Sequence, residues 1–257
     1  MNNLVIYITY ILPGATKDAP PSSFYQSAVK RFAQSYKKYF PKLKHKLILV
    51  NSNGGYNSTT ENFFEGIPYE MVSYNGSGWD IGGHQFAINS LNPDDWVMCL
   101  STWAYFRQEG WLEAFVEARD RYGDGLYGST ASYERHLHLR CTGIFMRCRM
   151  MQSYPFISNN KKQSWLVESG KHSLTWWFLK NNKSAYLVTP KGIVGPDQFR
   201  FLDNIYRKGN QSNIWVYDKH SDIYDKASRI QKIKLELLAN SRVINFFLNL
   251  YLMIIKR

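Results

Sequence analysis

The residues with the clearest chemical potential lie in Asn75-Gly-Ser-Gly-Trp-Asp-Ile-Gly-Gly-His-Gln-Phe-Ala-Ile-Asn89, followed by Asp94-Asp-Trp-Val-Met-Cys-Leu-Ser-Thr-Trp103. The pattern predicts a glycine-rich loop, a helix of about three turns, a tight turn and a buried strand ending in small polar residues. Gly76, Gly78, Gly82 and Gly83 would let the backbone approach a ligand, and a following helix aims free N–H groups at the loop. Such an arrangement suits a phosphate-bearing ligand. The spacing Gly76-x-Gly78-x-x-x-Gly82 is one residue too long for the dinucleotide fingerprint, and no Gly-Lys-Ser/Thr follows to make a P-loop. Asp80 sits in this loop with little apolar company, suited either to ligand contact or to capping the helix over Ile81–Asn89. His84 is a weaker candidate on the same segment.

A second concentration of polar chemistry is Tyr133-Glu-Arg-His-Leu-His-Leu-Arg140. Read as part of a strand over Leu137–Phe145, it puts His136, His138 and Arg140 on one face and turns Leu137 and Leu139 to the core. Arg140, with Arg135 nearby, can grip phosphate through two parallel hydrogen bonds. The His136/His138 pair could instead ligate a metal, but no carboxylate or cysteine completes a set. An exposed polar strand face without special function fits the pattern equally. Cys99, Cys141 and Cys148 form no metal-spaced pair. Their odd number, with no basic leader and cleavage site ahead of the first strand, predicts a reducing, cytoplasmic setting.

These groups need a frame. A chain of 257 residues with 44% hydrophobic content can bury one substantial core, and neither repeats nor low-complexity stretches appear, which excludes disorder and solenoids. Ser22–Phe40 reads as a helix carrying Phe24, Ala28, Phe32 and Tyr36 on one face. Strands are expected at 46–50, 69–74, 96–100, 126–128 and 185–188, and helices at 110–119 and 163–180. This alternation predicts an α/β class fold: a mostly parallel sheet flanked by helices, with a C-terminal helical extension. Ligands bind such sheets beyond the carboxyl ends of the strands. Those ends are Thr9–Tyr10, Asn51–Asn53, Asn75–Asp80 and Ser101–Trp103. Asp94 and Asp95 should lie about 15–20 Å away at the opposite end of their strand, at ~3.3 Å per residue, as ordinary turn residues.

The order of these stretches resembles a GT-A glycosyltransferase, with its Rossmann-like fold, over most of residues 3–190. Asn3-Leu-Val-Ile-Tyr-Ile-Thr9 looks like the first strand, and Lys46-Leu-Ile-Leu-Val-Asn-Ser-Asn-Gly54 like the second with its base-binding end. Thr142-Gly-Ile-Phe-Met-Arg147 and Trp165-Leu-Val-Glu-Ser-Gly-Lys-His-Ser-Leu174 resemble the stretch bearing the catalytic carboxylate. The likeness is greatest to transferases of bacterial O-antigen, lipopolysaccharide and capsule clusters. It implies a nucleotide-sugar donor, a growing lipid-linked or oligosaccharide acceptor, and inversion with Glu168 as general base near the start of a helix. It also implies a donor site drawn from Thr9, Asn51, Asn53, Asn75, Gly78, Asp80, Gly82, His84, Ser101 and Thr102, with Asn51 and Asn53 equally explained as turn residues. The resemblance breaks at the Asp-x-Asp that holds a divalent metal, replaced here by Leu100-Ser101-Thr102-Trp103. Dependence on Mg2+ or Mn2+ is therefore open, and His220 in Tyr217-Asp-Lys-His is the one residue that could correspond to a metal-binding histidine. With the metal site lost, a non-catalytic glycan-binding or scaffolding relative is the alternative reading.

Residues 1–220 are assigned to the catalytic domain and 221–257 to a basic amphipathic tail. From Lys226 the tail reads as a helix with Ile230, Ile233, Leu237 and Leu238 on one side, then becomes apolar from Val243 to Ile255. That run is short of the ~20 residues of a membrane span. Residues 226–257 carry seven Lys/Arg against one acid, half of the net charge of +12. Basic and apolar together suggest an interfacial helix on an anionic inner leaflet. Packing on the domain itself or on a second copy in a homo-oligomer is the alternative. With so much charge in the tail and no RNA or DNA module, a nucleic-acid partner is not expected.

Overall fold

The computed structural model describes residues 4–14, 22–134, 136–201, 207 and 211–240. Ten strands are present among them: β1 Ile6–Pro13, β2 Lys46–Ser52, β3 Glu70–Tyr74, β4 Trp96–Leu100, β5 Gly125–Gly128, β6 Ala131–Ser132, β7 His138–Leu139, β8 Gly143–Arg147, β9 Ser184–Thr189 and β10 Gly192–Val194. The helices are α1 Gln26–Lys38, α2 Ser58–Phe63, α3 Trp79–Ile88, α4 Trp111–Tyr122, α5 Cys148–Gln152, α6 Lys161–Glu168, α7 Leu174–Lys180, α8 Lys219–Lys226 and α9 Arg229–Asn240.

Eight strands form one sheet in the order β10-β9-β5-β8-β4-β1-β2-β3, while β6 and β7 make a separate two-stranded ribbon. The sheet is mostly parallel: only β8 and β10 oppose the rest. Alternation along the strands feeds two cores. Ile8, Tyr10 and Leu12 of β1, with Trp96, Met98 and Leu100 of β4, pack with Phe32 and Tyr36 of α1 and Trp111 and Phe115 of α4. Val97 and Cys99 turn to the other face, toward Ile81 and Ile88 of α3 and Val167 of α6. Helix α1 buries Ala28, Val29, Phe32, Ala33 and Tyr36, a stripe one helix face wide. Phe24 lies in a preceding 3-10 turn instead and is 55% exposed.

Between β1 and β4 the chain order reverses direction across the sheet, the crevice where open α/β sheets hold ligands. Strand β8 runs antiparallel beside β4 with Leu100 opposite Gly143, so the segment before β8 reaches the same rim as the end of β4. Asp94 and Asp95 lie at the other end, as expected. Asp95 accepts the Val5 N–H at 2.9 Å, and Asp94 pairs with Arg149 at 3.1 Å.

The stretch Leu137–Phe145 is not one strand. Chain reversal at Cys141–Thr142 separates β7 from β8, and β7 pairs with β6. Both His138 and Leu139 are buried, because the ribbon is covered on two sides, by α7 as well as by the sheet. The polar face expected for His136, His138 and Arg140 therefore does not form. The helix expected over 163–180 starts earlier, at Lys161, with Asn160 capping the Gln163 N–H, and breaks after Glu168 before α7 begins.

Candidate functional site

A cavity of about 450 Å3 opens at this crevice. Its floor comes from Pro13 at the end of β1, Ser101–Trp103 after β4 and Arg140–Thr142 before β8. Trp79, Asp80 and Ile81 open α3 along one side, and Lys161, Ser164, Trp165 and Glu168 present one face of α6 on another. Phe24 and Tyr25, then Asp218, Lys219 and His220 at the start of α8, complete the wall.

Asp80 occupies the first turn of α3 but does not cap it, since the cap position is Gly78 and no side chain closes it. Its carboxylate instead accepts from the Thr102 hydroxyl at 3.4 Å. Although part of its surface reaches the cavity, protein atoms crowd the carboxyl, and its pKa is pushed up to about 6. Burial is the main cause and the Glu168 charge the next, with the bonds from Thr102 and the Lys219 charge pulling the other way. Glu168 is the last residue of α6, not an early one, so no helix N-terminus holds it. Its Oε1 accepts the Cys141 backbone N–H at 3.2 Å, which orients the carboxylate from the β8 side.

Arg140 is committed to the protein. Its guanidinium donates to Asp218 Oδ2 at 2.7 Å, and the Thr142 hydroxyl donates to the same oxygen at 3.1 Å. The other oxygen of Asp218 caps α8 by accepting the His220 and Ser221 N–H groups. Arg140 holds Asp218 well below the usual carboxylate range despite its burial. His220 lines the cavity with its pKa lowered to about 4, chiefly by burial and then by Arg140.

The aromatic rings of Phe24, Tyr25, Trp79, Trp103 and Trp165 line the cavity beside these charges. Trp103 makes edge contacts with Phe24 and Tyr25 at centroid distances of 5.9 and 6.1 Å. The Lys219 ammonium lies 5.2 Å from the Trp103 ring, and the Lys161 ammonium 4.7 Å from the Trp79 ring. Trp79 holds a left-handed backbone at φ 51°, an unusual conformation for a bulky residue and one associated with functional sites.

Of the donor-site residues expected from sequence, Asp80, Ser101 and Thr102 meet in the cavity, together with the expected base Glu168 and with Arg140 and His220. Thr9 and His84 do not reach it. They are buried where α3 packs on β1, with the Thr9 hydroxyl and His84 Nδ1 2.9 Å apart, and burial lowers the His84 pKa to about 3. Asn51 accepts the Tyr56 N–H at 2.9 Å, a turn role. Asn53, at φ 51°, donates to Gly76 O at 2.9 Å and lines a minor recess of about 30 Å3 behind Trp79. Asn75 is exposed. Gly78 and Gly82 serve protein packing: a Cβ would lie 1.8 and 2.5 Å from the Ser158 carbonyl, so their missing side chains admit Ser158 and not a ligand. His138 Nδ1 donates to the His136 carbonyl at 2.9 Å and stands outside the cavity lining, as does His136. Arg135 lies outside the described residues.

The sequence placed Trp79 and Trp103 only within the strand-end segments and Phe24 on a helix face, and marked no site role for Tyr25, Lys161, Trp165, Asp218 or Lys219. For Asp218 a signal existed, because Asp218-x-x-Ser221 is a capping pattern that marks a helix start. The lysines and aromatic rings become neighbours only through the fold. Among the described residues, no three His, Cys, Asp or Glu side chains converge as a metal site.

No protein-family model matches the sequence, and no curated protein does. Solved structures do resemble the fold. A fragment of S. aureus TarS aligns over 95% of this chain and 72% of its own at 8% identity and a TM-score of 0.49. The 4-diphosphocytidyl-2C-methyl-D-erythritol synthase of Anaerococcus prevotii aligns over 91% and 97% at 11% identity and 0.46. The galactosyltransferase LgtC, solved with donor and acceptor sugar analogs, aligns over 68% and 65% at 10% identity and 0.39. At such identities and scores the likeness names neither a family nor an activity.

Proposed function

We propose that this chain is a glycosyltransferase that moves a sugar from a nucleotide-sugar to a growing bacterial surface glycan. The observation that carries the reading is the cavity at the sheet's crevice, where Asp80, Glu168, the Arg140-paired Asp218, two lysines and a rim of aromatic rings share about 450 Å3. Inverting transfer needs one base to take the acceptor hydroxyl's proton and cations against the departing diphosphate. Glu168, oriented by the Cys141 N–H, is assigned the base, and Asp80 donor contact. Aromatic faces stack on the C–H faces of sugars, which suits Phe24, Trp103 and Trp165 to the acceptor. The absence of a convergent metal set among the described residues keeps the non-catalytic glycan-binding alternative in view.

A panel of nucleotide-sugars tested by thermal stabilisation, with and without manganese, is the direct check. A ligand at 100 times its Kd stabilises the native state by about 2.7 kcal/mol, so one donor should raise Tm by several degrees while the others do not. Stabilisation by a glycan without any response to nucleotide-sugars would move the chain to the binding-protein class.

The surface reading extends to the tail. Among the described residues no helix is long and apolar enough to cross a membrane. On α9, Ile230, Ile233 and Leu237 are 80%, 51% and 44% exposed, at helical spacing, with Arg229, Lys232 and Lys234 beside them. The other side of α9 packs inward: Ala239 is buried and its carbonyl accepts the Tyr133 N–H. The apolar face is assigned to an anionic lipid surface on the cytoplasmic side, where each nearby Lys or Arg contributes about 1 kcal/mol. Residues 241–257, which hold the remaining apolar run, lie outside the described residues. Liposome flotation should report binding that needs anionic lipid and weakens in high salt. Replacing Ile230, Ile233 and Leu237 together by Ser should reduce it at least tenfold without altering Tm. Equal flotation of both proteins would remove α9 from the interface.

A further inference from the structure

The fold places a donor diphosphate, on the reading above, where a GT-A-like enzyme would be expected to hold a divalent cation, yet the residues present do not suit one. Strand β4 is followed by Ser101, Thr102 and Trp103, which offer hydroxyl groups and an indole. Asp80 accepts from Thr102, and Glu168 is held by the Cys141 N–H. Asp218 is occupied by Arg140, Thr142 and the first turn of α8. His220 stands among Arg140, Arg207 and Lys219, whose charges oppose a second cation there. A hard cation of the Mg2+ or Mn2+ type prefers several oxygen ligands, and these groups do not supply them at one point.

Two cations of the chain itself line the cavity instead. Lys161 and Lys219 come from different helices and face the same space, and each ammonium is parked over an indole, Trp79 and Trp103 respectively. Both residues are exposed, and the flexible stem of a lysine can move its ammonium off a flat ring toward a ligand. A cation on an aromatic face keeps its hydrogen-bond donors available, and an ammonium offers three of them. Arg140 is unsuited to this task because its guanidinium is bonded to Asp218. We infer that Lys161 and Lys219 together grip the diphosphate of the donor and take the place of a divalent metal. The inference rests on the nucleotide-sugar reading. It also explains how a dianionic group is accommodated close to Asp80 and Glu168.

The test is titration of the full chain with uridine, cytidine, guanosine, adenosine and thymidine diphosphates, in EDTA and again with Mn2+ or Mg2+. The expected result is that one of them binds in EDTA with a Kd within about threefold of its value with metal. Lys161→Met and Lys219→Met should each weaken that binding roughly 10- to 100-fold, the range of a lost charge-assisted hydrogen bond. Binding of the matching nucleoside without phosphates should not change, and Tm should stay as in the wild type because both side chains are exposed. Strict dependence on metal, or unchanged binding in both variants, overturns the lysine grip while leaving the donor reading intact. Failure of every diphosphate and nucleotide-sugar, with and without metal, overturns both.

Discussion

Glu168→Gln is expected to lower the rate of sugar transfer by ~10²–10⁴-fold, the usual loss when a positioned base is removed. Glutamine retains the size of the side chain and an oxygen that can accept the Cys141 N–H, so the geometry seen at 3.2 Å is preserved. What it loses is the ability to take a proton. Donor binding should stay within a few-fold of wild type, and kcat should carry the whole effect. Asp80→Asn separates the roles of the two acids: it should act through donor affinity more than through kcat. If Glu168→Gln transfers sugar at nearly the wild-type rate, the base lies elsewhere in the cavity.

The largest effect on stability is expected from Arg140→Met. The Arg140–Asp218 pair is 11% and 4% exposed at its side chains, and removing one partner of a buried pair typically costs ~3–5 kcal/mol because the other charge is left uncompensated. The pH dependence follows from the sign of the shift. Asp218 is held well below its unfolded value, so its contribution is present above about pH 4 and lost as acid protonates it. In Arg140→Met the same protonation relieves an unpaired charge. Urea unfolding should therefore find the gap between variant and wild type widest near pH 7 and narrowing toward pH 4. Adding Asp218→Asn, which can still cap α8, should recover much of the loss at neutral pH. A cost under 1 kcal/mol at pH 7 would mean that the pair behaves like an exposed one.

The strands that build the crevice were legible because each is a short apolar run between turn signals, and β1 to β4 fall where those runs lie. The alternation of strand and helix carried the fold class for the same reason. Glu168 was found as a residue but set at the wrong end of its helix. Asn160-x-x-Gln163 is a helix-start pattern, with Asn160 accepting the Gln163 N–H and Gln163 accepting the Asn159 N–H, and it puts the beginning of α6 seven residues before Glu168. The end of α6 was hidden in Gly170, whose Cβ would lie 2.6 Å from Leu166 Cα. His138 was misread because period-two patterning assumes one solvated strand face, and β7 has none. The glycines of the loop were legible as close approaches, but a sequence cannot say whether a ligand or Ser158 makes the approach. Lys161, Lys219 and their indoles left no local trace, since the two pairs join residues 82 and 116 positions apart only once the chain has folded; the nearer pair is a contact between α6 and the start of α3.

The lysine–indole stacks also make the cavity its own optical probe. Trp79, Trp103 and Trp165 line it, whereas Trp96 and Trp111 are sealed in the core and insensitive to what enters. A protonated amine resting on an excited indole drains its emission, and an anion that draws the amine away restores it. Occupancy by a phosphate compound would then brighten the protein, while a sugar lying on Trp103 or Trp165 alone would shift the colour of the emission by excluding water. One unlabelled sample can thus distinguish the two halves of a reaction by intensity and by wavelength.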